Sequence, residues 1–300
     1  MQKPEVHGLL VLDKPGGMTS RATVNVVQKW FGRKTKIGHT GTLDPLATGV
    51  LVVCLGQATR LAEYVQAMRK SYRSTFLLGS HSDTDDADGT VTASIPAGFV
   101  PRSRQEIEVQ LQTFVGEIDQ IPPAFSAALS EGKRAYELAR EGTAAELKPR
   151  RVTVYSIDIL NYFWPRLEVE VHCGKGTYIR SLARDLGEKL GCGGLVEKLR
   201  RLSVGPFSAN AAIPIDWSKP SPPDDFAVWI RPLVEAVAEL PTLSVNADEA
   251  QRFRQGQSLF MDVRHVLGEI AVFDEQDRLI AIGRLDDKGN LAPVKVLEIV

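Results

Sequence analysis

Residues 38–50 read Gly38-His-Thr-Gly-Thr-Leu-Asp-Pro-Leu-Ala-Thr-Gly-Val50, and the organisation of the whole chain turns on them. Three glycines, one proline and three threonines surround one acid, Asp44, and one imidazole, His39. Gly and Pro at that density interrupt both helical and strand periodicity, so the stretch predicts a shaped loop. The residues that follow, Val50-Leu-Val-Val-Cys-Leu55, are apolar and β-branched, which predicts a buried strand. Asp44 then belongs to a glycine-walled loop beside a core strand. From the residues alone two roles stay open for it: a carboxylate held for chemistry, or the opening residue of a turn before Pro45.

On the N-terminal side, His7-Gly-Leu-Leu-Val-Leu-Asp13 predicts a short buried strand, and Lys14-Pro15-Gly16-Gly17 a turn. Thr19 or Ser20 caps a helix carrying Val24, Val27 and Phe31 and running to about Gly32. Arg33, Lys34 and Lys36 follow directly before the loop; they suit an RNA backbone, and a solvated helix end fits them equally. On the C-terminal side, Thr59 to Met68 predicts a helix. Lys70-Ser-Tyr-Arg-Ser-Thr-Phe-Leu-Leu-Gly79 alternates as a strand, with Tyr72, Ser74, Phe76 and Leu78 on one face. The acidic run His81–Gly89 fails as a calcium loop, because Ala87 stands where a ligand is needed and no bidentate Glu follows; it is read as an acidic turn.

Farther along, Pro101 to Val115 predicts an amphipathic helix, and Ile121-Pro-Pro-Ala-Phe-Ser-Ala127 a stiff loop, with a helix expected at about 133–141. Val152 to Leu160 and Leu167 to Val171 alternate as strands. The second informative string is Cys173-Gly-Lys-Gly-Thr-Tyr-Ile-Arg-Ser-Leu-Ala-Arg-Asp-Leu-Gly187. It lacks the first glycine of a phosphate-binding P-loop. Thr177 is the expected N-cap, Ile179, Leu182, Ala183, Leu186 and Leu190 form one apolar helical stripe, and Gly191 is the stop. Tyr178 and Arg180 fall in the first turn off that stripe, so they are expected to project from the helix. An arginine opposing the helix dipole suggests a carboxylate partner. Leu195 to Leu202 is expected to add a short helix. Residues 214–241 hold six prolines and read partly as a linker. Beyond them, an Asn246/Glu249 capping box opens a helix ending at Gly256, and three short strands are expected near 269–273, 278–284 and 291–299.

The chain has 300 residues, 43% hydrophobic and 24% charged, as expected of a soluble globular protein of one large domain with an appendage, or of two domains. No apolar run approaches the ~20 residues of a membrane span. The N-terminus has no signal-peptide core, and Cys54, Cys173 and Cys192 show neither a disulfide framework nor zinc spacing. A reducing, cytoplasmic setting and no metal site are the expectation. The net charge of −1 hides an uneven spread. Residues 1–73 carry eleven Lys/Arg against four Asp/Glu, and 211–300 carry nine against fifteen. A basic portion on a neutral chain suits phosphates, although ordinary surface variation gives the same figures.

The twelve residues from Gly38 to Gly49 resemble the signature loop of the bacterial tRNA pseudouridine synthase B (TruB) family. Lys14-Pro15, Lys70-Ser-Tyr72, the Pro-Pro-x-x-Ser-Ala run at 122–127 and Gly176-Thr-Tyr-Ile-Arg180 resemble further motifs of that family, in the same order. The resemblance covers most of residues 8–208. It implies an α+β fold, with a mixed, mainly antiparallel central sheet flanked by helices, over a catalytic domain at 1–240. A small β-rich, PUA-like RNA-binding domain would follow at 241–300, its net acidity sitting poorly with a strong RNA grip.

The same resemblance implies roles. Asp44 would be the catalytic acid, Arg180 its ion-pair partner, and Tyr72 the ring that stacks on the target base. Tyr178 would lie beside the reaction as a candidate proton acceptor, and Leu199 would line the uracil pocket. His39 would stack in the RNA where the target nucleotide leaves. Arg33, Lys34, Lys36 and Lys175 would contact RNA. The implied activity is isomerisation of the uridine at position 55 in the T arm of tRNAs, with no cofactor, guide RNA, membrane or protein partner, by a monomer. Two other readings remain open at this point: a guide-dependent dyskerin-like relative, and an RNA-folding protein without catalysis.

Overall fold

The computed structural model describes residues 6–32, 34–126, 128–130, 133–135, 138, 147–261 and 267–297. Nine strands build most of the main sheet: β1 (Gly8–Lys14), β2 (Ile37–His39), β3 (Thr48–Leu55), β4 (Lys70–Leu78), β5 (Gly116–Gln120), β6 (Arg150–Phe163), β7 (Arg166–Cys173), β8 (Gly194–Val204) and β9 (Ile230–Arg231). The sheet has ten strands and runs β9-β1-β3-β8-β4-β7-β6-β5, with β2 beside β3 and a two-residue strand, Phe207–Ser208, beside β8. Every pairing is antiparallel except β3 with β8, which joins the two halves of the sheet through Arg200–Thr48 and Arg201–Gly49. The helices are α1 (Ser20–Gln28), α2 (Ala62–Ala67), α3 (Arg104–Gln112), α4 (Ile179–Leu190) and, beyond the main sheet, α5 (Ala247–Arg254). The fold is the expected α+β class.

Local chemistry explains most elements. Thr19 caps α1 by accepting from the Ala22 amide at 3.0 Å, and the helix stops at Gln28, earlier than its apolar spacing suggested. The predicted helix at 59–68 is a 3-10 stretch, Gly56–Leu61, followed by α2. Strand β4 alternates as expected, burying Tyr72, Ser74, Phe76 and Leu78. In α4 the stripe of Ile179, Leu182, Ala183, Leu186 and Leu190 is buried and Gly191 takes a left-handed conformation at φ 73°. Thr177 is not its cap. Tyr178 holds that position, and its amide donates to the side chain of Gln120 at 2.7 Å while the Gln120 amide donates to the Tyr178 carbonyl at 3.1 Å.

The expected helix at 195–202 is strand β8. Its leucines repeat at helical spacing, but both neighbours, β3 and β4, offer open edges, and register shifts between Val196 and Lys198 and between Arg201 and Ser203 accommodate the pattern in a sheet. Lys133–Arg134 is a strand segment, paired with Leu129–Ser130, not the start of a helix; most of the remaining stretch expected to be helical, to 141, lies outside the described residues. The proline-rich stretch is only partly a linker, since Ile230–Arg231 pairs with β1, and Leu233, Ala236 and Val237 are buried against the main sheet.

A second sheet of five strands contains the three expected ones, Gly268–Phe273, Leu279–Leu285 and Asn290–Val296, together with Thr242–Ser244 and Leu259–Phe260. Its Ala271, Leu279, Ile282 and Leu297 belong to one apolar cluster with Val65, Met68, Leu233 and Val237. Lys295 also reaches Glu63 at 2.7 Å. The C-terminal sheet is therefore seated on the helical segment between β3 and β4. Among the described residues no helix is long and apolar enough to cross a membrane.

Candidate active site

The loop between β2 and β3 carries Asp44 and is tied down from three directions. The Ser20 hydroxyl, at the start of α1, donates to the Leu43 carbonyl at 3.0 Å and accepts from the Leu43 amide at 2.7 Å. The fully buried Lys14 ammonium donates to the carbonyls of Pro15, Met18 and Pro45 at 2.9, 2.6 and 3.2 Å. Burial lowers its pKa to about 8, with Asp44 opposing that shift. The Arg201 guanidinium, from β8, donates to Val50 O at 2.7 Å and Gly41 O at 3.2 Å. At the end of the loop Gly49 has φ +100° and an added Cβ would stand 2.1 Å from the Arg201 carbonyl, so only glycine lets the two backbones meet.

Arg180 faces that loop. It projects from the helix onto a carboxylate partner, as its place off the apolar stripe and against the helix dipole suggests, and is 4% exposed. Its Nε stands 2.9 Å from Asp44 Oδ2, and Nη2 donates to Asp44 Oδ1 at 3.0 Å. The same guanidinium donates to Thr84 O and Phe125 O and lies 3.4 Å from the buried Asp86 carboxylate. Burial raises the Asp44 pKa above its usual range; Arg180 pulls it down, Asp86 pushes it up and Lys14 pulls it down. Arginine is the right cation for such a place, because its fork holds charge and orientation together.

These groups open on a cleft of about 560 Å³, which includes Asp44, Tyr72, Tyr178, Arg180, Leu199, His39 and Lys175 in its walls. Six of the expected site residues thus share one cavity with Asp44. Tyr72 is nearly buried, and burial raises its hydroxyl pKa while Arg201 opposes the rise. His39 is half-buried with Nδ1 unpaired, and its pKa is lowered by burial and then by Arg201 and Arg21. Lys34 and Lys36 are exposed and do not line the cleft; Arg33 lies outside the described residues.

Three contributors escaped the sequence reading. Asp86 and Asp85 belong to the run read as an acidic turn, yet Asp86 faces Arg180, and Asp85 accepts from Arg184 Nη1 at 2.9 Å. Local spacing carries no sign of these roles, because the partners, Arg180 and Arg184, lie on α4, far along the chain. Arg201 was hidden by the helical reading of 195–202. As a strand, Leu199 and Arg201 fall on one face by alternation, which is the signal that would have found it.

Three family models match the chain: TruB family pseudouridylate synthase (N-terminal domain) over residues 28–179, the tRNA pseudouridylate synthase B C-terminal domain over 180–216, and pseudouridine synthase II TruB, C-terminal, over 241–297. A tRNA pseudouridine synthase B of Syntrophotalea carbinolica is 37% identical over 278 residues, 93% of this chain and 89% of that protein. The protein of that name from Salmonella paratyphi A is 36% identical over 304 residues, 98% of this chain and 96% of its own length. Among solved structures, a chain of a Cbf5–Nop10–Gar1 complex superposes with a TM-score of 0.71 at 26% identity, over 97% of this chain and 84% of that one. An H/ACA RNP bound to a substrate RNA containing 2′-deoxyuridine gives 0.69 at 26% identity, over 97% and 85%.

The mixed sheet, with an arginine-held aspartate in a cleft at its centre, is that of a pseudouridine synthase. Within that class, the chain belongs to the TruB family.

Proposed function

We propose that the protein isomerises uridine to pseudouridine in tRNA, at position 55 of the T arm, as a cytoplasmic monomer without guide RNA or protein partner. The observation that carries the reading is the Arg180–Asp44 pair in the cleft walled by Tyr72, Tyr178 and Leu199. In the reaction the uracil N1–C1′ bond breaks, the base turns, and C5 joins C1′; C5 loses its proton and N1 gains one. Atoms and electrons are conserved, so the step consumes neither a redox cofactor nor an energy source. The target base must leave its stack, at a cost of a few kcal/mol that aromatic stacking offsets. Tyr72 supplies that ring, and Leu199 the apolar wall.

Asp44 acts as its carboxylate, at C1′ or on the sugar proton lost in an elimination. Arg180 orients it and favours its charged form. Tyr178 stands beside it as a candidate proton acceptor. His39 stacks in the RNA at the place the nucleotide leaves, and Lys175, with Arg33, Lys34 and Lys36, meets phosphates. Residues 1–240 form the catalytic domain, and 241–300 a second, RNA-contacting one.

The test is tritium release from uridine labelled at C5 in a T-arm stem-loop transcript, with no guide RNA present. The intact protein releases tritium, and Asp44→Asn releases none while still binding the transcript. Release by Asp44→Asn refutes the role of that acid. No release by the intact protein favours the guide-dependent or RNA-folding readings.

A further inference from the structure

Arg201 is a buried cation with no carboxylate partner among the described residues. It is 3% exposed and donates to two carbonyls, Val50 O and Gly41 O. Arg180, by contrast, faces both Asp44 and Asp86. Burying a charge without a counter-charge is costly, and carbonyl dipoles offset only part of that cost. A fold without use for the charge would replace it by an apolar side chain of similar volume.

Its position suggests the use. In the β4–β8 pairing Arg201 stands directly opposite Tyr72, and Leu199 directly opposite Ser74, so arginine, tyrosine and leucine share one face of two adjacent strands and one wall of the cleft. The same guanidinium holds Gly41, three residues before Asp44. Its field reaches the surrounding ionisable groups: it opposes the upward shift of the Tyr72 hydroxyl and lowers the pKa values of His39, Lys14 and Lys70. Breaking N1–C1′ leaves the bonding electron pair on the uracil ring, which is then an anion. A positive charge on the strand residue opposite the stacking tyrosine favours that state over the neutral substrate, and preorganised charge in a water-poor site is effective in this way.

We propose that Arg201 is a positioning residue of the isomerisation, which locks the Tyr72 hydroxyl and the Gly41–Asp44 loop and keeps the cleft positive for the uracil anion. This rests on the proposed function above. Its charge and its packing make different demands, so two variants separate them. Arg201→Met keeps length without charge, and Arg201→Lys keeps charge without the planar fork.

The experiment is single-turnover tritium release with the transcript in excess over its Kd, beside transcript binding and far-UV circular dichroism. Arg201→Met is expected to lose about 100-fold in rate, the scale of one preorganised electrostatic group, with Kd changed less than threefold. Arg201→Lys is expected to recover at least tenfold of that loss. Equal losses in the two variants mean that packing alone matters, and overturn the proposal. So does a Met variant within threefold of the wild type, or a loss confined to Kd. If Arg201→Met does not fold, Arg201→Gln, which retains an amide NH₂ and carries no charge, replaces it against the Lys variant under the same criteria. Wild-type protein without activity overturns the functional reading and this proposal together, whereas active wild type with any of the outcomes just named overturns this proposal alone.

Discussion

Arg180 reaches Asp44 across 136 positions of chain, its Nε 2.9 Å from Oδ2 and its Nη2 donating to Oδ1 at 3.0 Å. The other side of the guanidinium is fixed by Thr84 O and by Asp86, 3.4 Å from Nη1. Asp86 is itself held in place, accepting from the Thr84 hydroxyl at 2.6 Å and the Asp88 amide at 3.1 Å. Asp86→Ala should therefore act through Arg180. The expected result is a loss of roughly 10–100-fold in single-turnover rate, with transcript binding little changed and about 1–3 kcal/mol of stability lost from the unpaired buried donor. An unchanged rate would show that Thr84 and Phe125 suffice to hold the arginine.

The elevated pKa of Asp44 has a signed consequence for activity and another for stability. Burial raises it from the ordinary 3.8, and the proposed chemistry needs the carboxylate. Rate should therefore fall as pH falls through the raised value, with the acid limb above 3.8. In the same window the folded chain retains a proton that the unfolded chain has released, so this group's contribution to stability falls as pH rises through it. Single-turnover rates should fall toward acid, while the difference in urea midpoint between wild type and Asp44→Asn, which isolates this group from carboxylates of lowered pKa such as Asp274, should move the opposite way. Asp44→Asn removes this group's part of the stability slope.

Lys175 is exposed in the Gly174–Thr177 turn and lines the cleft, which places it for a phosphate contact. Lys175→Ala should weaken transcript binding and reduce the slope of log Kd against log salt by about one, or somewhat less for single-stranded RNA. An unchanged slope removes Lys175 from the RNA interface.

Much of the fold was legible because its signals are local. The Thr19 cap, the alternation of β4, the apolar stripe and Gly191 stop of α4, and the Asn246/Glu249 capping box each rest on a few adjacent residues, and each is present. Strand β8 was not legible, because its leucines satisfy a helical repeat and only the open edges of β3 and β4 decide otherwise. The residues gathered at the cleft were named largely through motif resemblance. What neither motif nor periodicity supplied were the partners: Asp86 beneath Arg180, Gln120 at the start of α4, and Arg201 opposite Tyr72. Such pairings depend on which strands become neighbours, and no local window contains that.

Lys14 shows the same dependence on distant backbone. Its ammonium ties the turn after β1 to Pro45, next to Asp44. Lys14→Met fills the same volume but leaves buried carbonyls without a donor, for an expected loss of about 1–3 kcal/mol in urea denaturation. The rate should fall with it, since the loop that carries Asp44 loses one of its three ties. A variant as stable and as fast as the wild type would show that Ser20 and Arg201 hold the loop by themselves.

Gly187 offers a prediction whose sign separates two views of α4. In an exposed helix, Gly→Ala is favourable by about 1 kcal/mol, because alanine loses less backbone entropy. Here a Cβ on Gly187 would lie 2.1 Å from Gly193 C and Gly194 N, and 2.4 Å from Gly193 O, all of them backbone. The amides of Cys192 and Gly193 both donate to the Gly187 carbonyl at 3.0 Å, so the chain folds back against this residue before it enters β8. No side-chain rotation relieves that contact; either α4 or the start of β8 must shift. The expected cost is about 3 kcal/mol, at the upper end for overpacking, read as a lower denaturation midpoint. Activity should fall as well, because Arg180 and Leu199 ride on the two elements forced apart. Glu188→Ala, one residue along on the exposed side, is the control and should change stability by less than ~0.5 kcal/mol. A Gly187→Ala protein more stable than the wild type would mean that the helix does not approach β8 as closely as the structure has it.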